Sequence, residues 1–366
     1  MAPVDDRASR TVDRPSPPAA DEPPGADPLS DALRNVRLTG ALFFVWEASF
    51  PFATSVPDGS RFAHLLLPRA RQIVSYHVVV EGSCWGGLVG GEPVHLRPGD
   101  VLLVPRGDAY VMAGSAAACR RTPIDEAAAR EFFAAMAAGD LPPVVREGDG
   151  GAEVVRVVCG FLGCDVRPFN PVVAALPPLL RLAPSGGPSD ERLRRLVDYA
   201  LAEAGEPAPG SGGILARLGE LMFVEVLRRC LRQPDEAPRA WLAGLEDPVV
   251  GRCLALMHRR PAADWTLARL ATAVGASRSA LAERFADRVG MPPIEYLTRW
   301  RLQMAANLLE DTSAKVATVA DRVGYGSAAA LTRAFKRVVG VTPGEWREGG
   351  GEAPAGRVVT PGTSPG

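Results

Sequence analysis

Between residues 262 and 347 the chain states one pattern twice. Leu270-Ala-Thr-Ala-Val-Gly275 answers to Val319-Ala-Asp-Arg-Val-Gly324. Leu281 and Phe285 answer to Leu331 and Phe335, Gly290 to Gly340, Pro293 to Pro343, and Tyr296 to Trp346. The offset is 49 residues before the turn and 50 after it, so one residue was gained where insertions cost least. In the second copy Val316, Val319, Ala320 and Val323 mark a short apolar helix, followed by a turn at Gly324-Tyr325-Gly326. Ser327 stands in N-cap position and opens a second helix that runs to about Val339. There Leu331, Phe335 and Val338 recur at +4 and +3 as a core stripe, and Thr332, Arg333, Lys336 and Arg337 fall on the outward faces. In the first copy Ser277 is the cap, with Arg278, Ser279, Ala282 and Glu283 outward. Two short helices around a glycine-bearing turn are a helix-turn-helix, whose second helix can lie in a DNA major groove.

The stretch joining the copies, Pro292 to about Glu310, places Leu297, Trp300, Met304 and Leu308 at steps of 3, 4 and 4, one face of a helix. About 19 residues at ~1.5 Å rise span about 28 Å, close to the ~34 Å between successive major grooves on one side of a duplex. One polypeptide could therefore read two groove segments. Arg333 is the residue that can fork onto a guanine edge, and Glu283 could accept from a cytosine amino group. Ala282, Ala328 and Ala329 offer apolar contact to a thymine methyl, whereas Lys336 and Arg337 lie where phosphate contact is expected. Ser277 and Ser327 cap the helices that carry these residues.

The signature ADRVGYGSAAALTRAFKRVVGVTPGEWR, with RWRLQMAANLLED on the linking helix, resembles the DNA-binding domain of the AraC family of bacterial transcription regulators. The likeness covers residues 262–347, about a quarter of the chain. It implies binding to double-stranded operator DNA and control of transcription by RNA polymerase. Charge agrees: this segment holds 12 Arg/Lys against 8 Asp/Glu, or +4, inside a chain of net charge −1, leaving −5 for the remainder.

Upstream the texture differs. LTGALFFVWEA, FAHLLL, SYHVVVEG, PVHL, DVLLVPRG, AYVMAG and EVVRVVCGFL each read as a short strand bounded by Gly or Pro, which predicts an antiparallel barrel or sandwich. An insertion from about Ala116 to Asp149 interrupts them, helical over Ile124–Ala138 and then a polar loop. Gly99, Pro105, Gly107 and Tyr110 are spaced like the second motif of cupins, and YHVVVEGSCW resembles the sensor domains of one AraC-family branch. The resemblance implies a sensor for a small-molecule or oxidant effector. One departure matters: Tyr110 stands where the cupin motif has a metal-binding histidine, and only His77 remains of the first cluster. His77 and Glu81 share a strand face by the two-residue period, and with Tyr110 and Cys84 nearby they form the candidate pocket. Three confident ligands cannot be named, so no metal and no other cofactor is expected. Cys84 is the candidate redox thiol, which reacts only with thiolate character.

The fold class expected is α+β: an N-terminal antiparallel β cupin-like barrel with a helical extension, then a C-terminal all-α double helix-turn-helix. The expected segments are a disordered tail (1–30), the cupin-like sensor (31–165), a proline-rich connector (166–188), and a helical pair (189–233). A linker (234–247), the DNA-binding domain (248–347) and a second tail (348–366) follow. In the helical pair the stripes Leu193, Leu196, Val197, Ala200 and Leu215, Leu218, Met222, Val226, Leu227 are expected to pair with a second subunit as a homodimer. No run of 18 apolar residues suggests a membrane span, and six cysteines in 366 residues fit a reducing cytoplasm better than a disulfide scaffold. Four histidines leave little from which to build an enzyme. The competing reading is a cupin-type metal-dependent enzyme fused to a DNA-binding domain.

Overall fold

The computed structural model describes residues 27–35, 37–66, 72–148, 150–165, 167–232 and 240–349. Of the tails expected at 1–30 and 348–366, residues 1–26 and 350–366 lie outside the described residues, and Glu348 and Gly349 are instead helical. Residues 28–30, expected in the first tail, are instead helical. The Asp27 carboxylate accepts from the Leu29 and Ser30 N–H groups and opens α1 (Pro28–Asn35), whose Leu29 and Ala32 are buried.

Ten strands follow: β1 (Arg37–Ser49), β2 (Ala53–Val56), β3 (Gln72–Glu81), β4 (Cys84–Leu88), β5 (Val94–Leu96), β6 (Val101–Val104), β7 (Tyr110–Ala113), β8 (Val144–Glu147), β9 (Val154–Asp165) and β10 (Leu180–Leu182). They form a six-stranded sheet in the order β10-β6-β3-β9-β1-β8 and a four-stranded sheet in the order β2-β7-β4-β5. The pairings are antiparallel except β1 with β8. The larger sheet is buried on both sides, which explains its near-continuous apolar runs. Ile73, His77 and Val79 of β3, Val157, Cys159 and Phe161 of β9 and Phe44 and Trp46 of β1 point to the interior between the sheets. The alternate residues Val74, Tyr76, Val78, Val158, Leu162 and Val45 point to an outer helical layer.

Three strand-region expectations need correction. The described part of FAHLLL, Phe62 to Leu66, is not a strand, and Leu67 lies outside the described residues. The Asp58 side chain accepts from the Ser60 N–H and starts a 3-10 turn at Gly59–Arg61, leading into α2 (Ala63–Leu66), and Phe62 stacks on Phe133 at 4.3 Å. Within the insertion, α3 (Ala116–Arg121) precedes α4 (Glu126–Ala138), which Gly139 ends at φ 79°. The expected polar loop beyond it contains β8, held because Glu147 accepts from the Trp46 indole N–H and the Thr54 hydroxyl. The expected connector 166–188 is also structured over its described residues, 167–188: Asn170 caps α5 (Pro171–Ala174), and Leu180 and Leu182 bury as β10 against β6.

The helical pair, α6 (Pro188–Gly205) and α7 (Ser211–Leu231), covers the outer face of the large sheet. Leu193, Val197, Ala200, Leu215, Leu218, Met222, Val226 and Leu227 are buried in that core. The stripes expected to meet a second subunit are therefore consumed within one chain, because the sheet's outer face is apolar and needs cover. Tyr76 donates its hydroxyl to the Gly219 carbonyl at 2.8 Å. The buried Arg229 pairs with Asp190 at 2.5 Å and donates to the Gly99 carbonyl, tying both helices to the barrel rim.

The C-terminal half comprises α8 (Ala240–Glu246), α9 (Pro248–Arg259), α10 (Leu267–Val274), α11 (Arg278–Val289), α12 (Pro293–Asp311), α13 (Val316–Arg322), α14 (Ala328–Val339) and α15 (Pro343–Gly349). Of the expected linker 234–247, residues 234–239 lie outside the described residues and 240–246 are helix, with Trp241 buried and its indole N–H donating to the Tyr296 hydroxyl at 2.9 Å. Two cores meet on α12. Tyr296, Leu297 and Trp300 join Leu270, Leu281 and Phe285 in a core continuous with the barrel's helical layer. Leu302, Ala305, Ala306 and Leu309 instead join Val319, Leu331, Phe335 and Trp346 in a separate small core. Trp300 and Leu302 are two residues apart, roughly 200° around the helix, so the motifs sit on opposite sides of α12. Met304 and Leu308, expected on one stripe with Leu297 and Trp300, are only partly buried for the same reason.

Candidate DNA-reading surface and barrel interior

Each motif turns on a left-handed glycine, Gly275 at φ 71° and Gly324 at φ 83°. The Ser277 hydroxyl accepts from the Ala280 N–H at 3.2 Å and the Ser327 hydroxyl from the Ala330 N–H at 3.1 Å, so α11 and α14 start in the same way. Leu281, Phe285 and Val289 bury one face of α11, and Leu331, Ala334 and Phe335 bury one face of α14. Val338, expected in that stripe, is 42% exposed; Ala334 takes the inward place, and Val339 rather than Val338 packs against the small core.

The outward residues are Ser277, Arg278, Ser279 and Glu283, all exposed, with Ala282 half-buried. On the second motif Ser327, Ala329, Arg333, Lys336 and Arg337 are exposed and Thr332 is half-buried, its hydroxyl donating to the Ala328 carbonyl. Two further arginines of α11 are engaged at its rear: Arg284 pairs at 2.7 Å, and Arg288 at 3.9 Å, with Asp247, which also caps α9.

The second candidate constellation lies inside the barrel. His77 and Cys159 are directly opposite across β3 and β9. The imidazole Nδ1 is 3.1 Å from the Cys159 sulfur, and Nε2 is 2.6 Å from the Tyr110 hydroxyl. Burial lowers His77 to about 3, so the ring is neutral, and it pushes Tyr110 and Cys159 well above their usual values. Phe161 meets His77 edge-on at 5.8 Å, and Phe133 and Phe44 pack against Phe161. Glu81 does not join them. A bulge between Val79 and Glu81 breaks the two-residue period, and Glu81 is exposed, pairing with Arg156 at 3.3 Å. Cys84 is fully buried, and burial, then Cys119 and Asp100, raise its thiol to about 12. Among the described residues no three His, Cys, Asp or Glu side chains gather as a metal would need.

A family model described as "Helix-turn-helix domain" matches residues 270–349, and one described as "Cupin" matches residues 27–232. A putative AraC-like transcription regulator of Streptomyces antibioticus is 34% identical over 323 residues, which cover 88% of this chain and 98% of that protein. The chain belongs to the AraC family of transcription regulators. The HTH-type transcriptional regulator AlkR of Acinetobacter baylyi is 29% identical over 76% of the chain and 89% of its own length. The RCS-specific HTH-type transcriptional activator RclR of Escherichia coli is 27% identical over 75% of the chain and 84% of its own length. Like these AraC-family relatives, the protein is a DNA-binding regulator and not an enzyme. Among its described residues no helix is long and apolar enough to cross a membrane.

Two sets of residues in this AraC-family chain escape sequence reasoning. Cys159 faces His77 through strand register, which no local pattern announces. The seam between the cupin and DNA-binding halves is the other. There the Phe169 N–H donates to the buried Gln303 side chain at 2.8 Å, and Arg299 lies over the Phe169 ring. Arg167 lies 5.1 Å from the Trp346 ring centre. Gln303 shares its helix face with Arg299 and Asn307, donating to the latter at 3.1 Å, so the sequence marks it as an ordinary polar position.

Proposed function

We propose that this regulator binds operator DNA with α11 and α14 in two successive major-groove segments, under control of a signal received by its cupin domain. The observation that carries the reading is the pair of serine-capped helices on opposite sides of α12, with outward faces free of both cores. Arg333 reads a base, Lys336 and Arg337 hold phosphates, and Ala329 and Thr332 approach the groove floor. Arg278, Ser279, Ala282 and Glu283 do the same work on α11, and the caps Ser277 and Ser327 orient the helices.

The effector is a small molecule that perturbs the His77–Tyr110–Cys159 set, with no resident metal, since both ring nitrogens of His77 are already engaged. Direct oxidation of Cys84 is the second reading, favoured by the likeness to an RCS-specific activator and opposed by the buried, protonated thiol. The protein acts on RNA polymerase in the cytoplasm, where its six free, buried thiols stay reduced. A second copy docks on the outer seam of α6 and α7. There Leu221, 54% exposed, lies with Leu196 and Val224 in an open groove of about 440 Å³ flanked by Arg192, Arg195, Glu225 and Arg228, and Ile214 on the same helix is 38% exposed.

The test is footprinting of the full chain on DNA flanking its own gene across a salt series. Two protected segments one helical turn apart, with affinity falling steeply with salt, are expected. Protection of one segment alone would overturn the two-groove reading.

A further inference from the structure

The two helix-turn-helix units have separate cores, so α12 alone would leave their mutual angle soft. A second connection exists. Arg301, half-buried midway along α12, donates from Nε to the Pro261 carbonyl and from Nη2 to the Ala263 carbonyl, each at 2.7 Å. Those carbonyls belong to the loop between α9 and α10 of the first motif. The same guanidinium stands 6.0 Å from the ring centre of Tyr325, in the turn of the second motif.

The backbones also touch. A Cβ on Gly324 would lie 2.7 Å from the Ala262 Cα, so the second turn rests directly on the first motif's loop. That loop is braced from its other end, since Arg269 of α10 donates to both the carbonyl and carboxylate of Asp264 at 2.7 Å. The contacts thus run unbroken from α10, through the loop and Arg301, to the turn that launches α14.

We infer that Arg301 is a positioning residue that fixes the angle between the two recognition helices, and hence the spacing of operator half-sites the chain accepts. Arginine suits the role: its planar fork reaches two carbonyls at once while presenting a flat cationic face to the tyrosine ring, which a lysine cannot do. One inserted base pair turns the duplex by roughly 34° and lengthens it by about 3.4 Å, so a fixed pair of helices must lose one set of contacts.

The inference rests on the two-groove reading above, and its test separates the two. The wild-type full chain first selects a duplex from a random-sequence pool. Derivatives with one base pair removed, or one or two added, between the protected segments are then titrated. Selection of a bipartite duplex tests the two-groove reading alone. For the wild type, a one-pair change should weaken binding about tenfold or more, as loss of one helix's base contacts requires. Arg301→Ala should bind the selected duplex about tenfold more weakly, yet bind the altered ones as the wild type does, giving a flat profile. Arg301→Lys, with one carbonyl bond retained, should recover part of the preference. Equal weakening at all spacings, or an unchanged profile, would overturn the inference. If Arg301→Ala does not fold, Tyr325→Ala, which leaves both carbonyl bonds, is read in the same series. A folded Tyr325→Ala with the wild-type profile would also overturn it.

Discussion

Phe285 and Phe335 occupy equivalent positions in the two repeats, yet alanine at each should have different consequences. Both rings are fully buried, and truncation of such a ring costs about 3–5 kcal/mol in transfer and cavity terms. Phe335 packs edge-on against Trp346 at 5.6 Å in a core of eleven buried residues. A unit of this size, below roughly 70–80 residues, rarely draws more than about 3–5 kcal/mol from its core. Phe335→Ala therefore removes stability comparable to the whole second motif, which should open locally while the rest stays folded. Phe285 sits in the core shared with the barrel's helical layer. There the same loss is spread over a unit whose total is about 5–15 kcal/mol, and the main transition should fall by about 2–4 °C per kcal/mol. Hydrogen exchange read by peptide distinguishes the cases. In Phe335→Ala, amides from Val316 to Gly349 should exchange as in an open chain, with protection elsewhere retained and the footprint reduced to one segment. Uniform loss of protection across the chain in Phe335→Ala would refute the argument, because it would make the two cores one cooperative unit.

Arg333→Ala should cost about 1–3 kcal/mol on the operator and relax preference at one base pair, whereas Lys336→Ala should weaken operator and scrambled DNA alike and lower the salt slope by about one; titrations at two salt concentrations, with melts as controls, compare them. His77 and His258 are both lowered to about 3 by burial, so below about pH 6.5 the unfolded chain binds protons that the folded one refuses. Stability should therefore fall from pH 6.5 towards 3, by about 2 kcal/mol per ring at pH 5, and His77→Gln should remove its share of the slope in urea melts from pH 7 to 5. Leu221→Glu should turn a homodimer into a monomer by light scattering without lowering the melting temperature, since Leu221 lies outside the core. Alkylation of Cys84 by a mild thiol reagent should be slow at pH 7, and fast modification that alters DNA binding would favour the redox reading.

The DNA-binding half was legible because its cores are built from local repeats. The Leu270/Val319, Leu281/Leu331 and Phe285/Phe335 correspondences name buried positions directly, and Ser277 and Ser327 name the helix starts. The barrel was legible where strands alternate or run apolar, as in β3, β6 and β9. It was not where a segment is short and its partner distant. ATSV, VVRE and LRL carry too few residues to signal a strand, and they become strands only by pairing with β7, β1 and β6. FAHLLL failed for the opposite reason: a short apolar run ending before Pro68 reads as a strand, but Ala and Leu favour helix and the Asp58 cap starts a helical turn.

The seam between the halves was illegible for a deeper reason. The apolar stripes on α6 and α7 read as a face for a second subunit and that on α12 as the core of its own repeats, so nothing in the pattern points to the seam. Yet Leu29 of α1, Val173 of α5, Trp241 of α8 and Tyr296 of α12 share a core with Tyr76 of β3 and Phe223 of α7. The first helix-turn-helix is thereby built into the cupin domain's own packing. The second reaches the connector through Arg167 over Trp346 and the first motif through Arg301. Rearranging the first motif must disturb the shared core, whereas tilting the second against it strains α12 and breaks the Arg301 and Arg167 contacts but leaves the core shared with the cupin domain closed. The asymmetry makes the second motif the part of the DNA-reading surface that costs least to move.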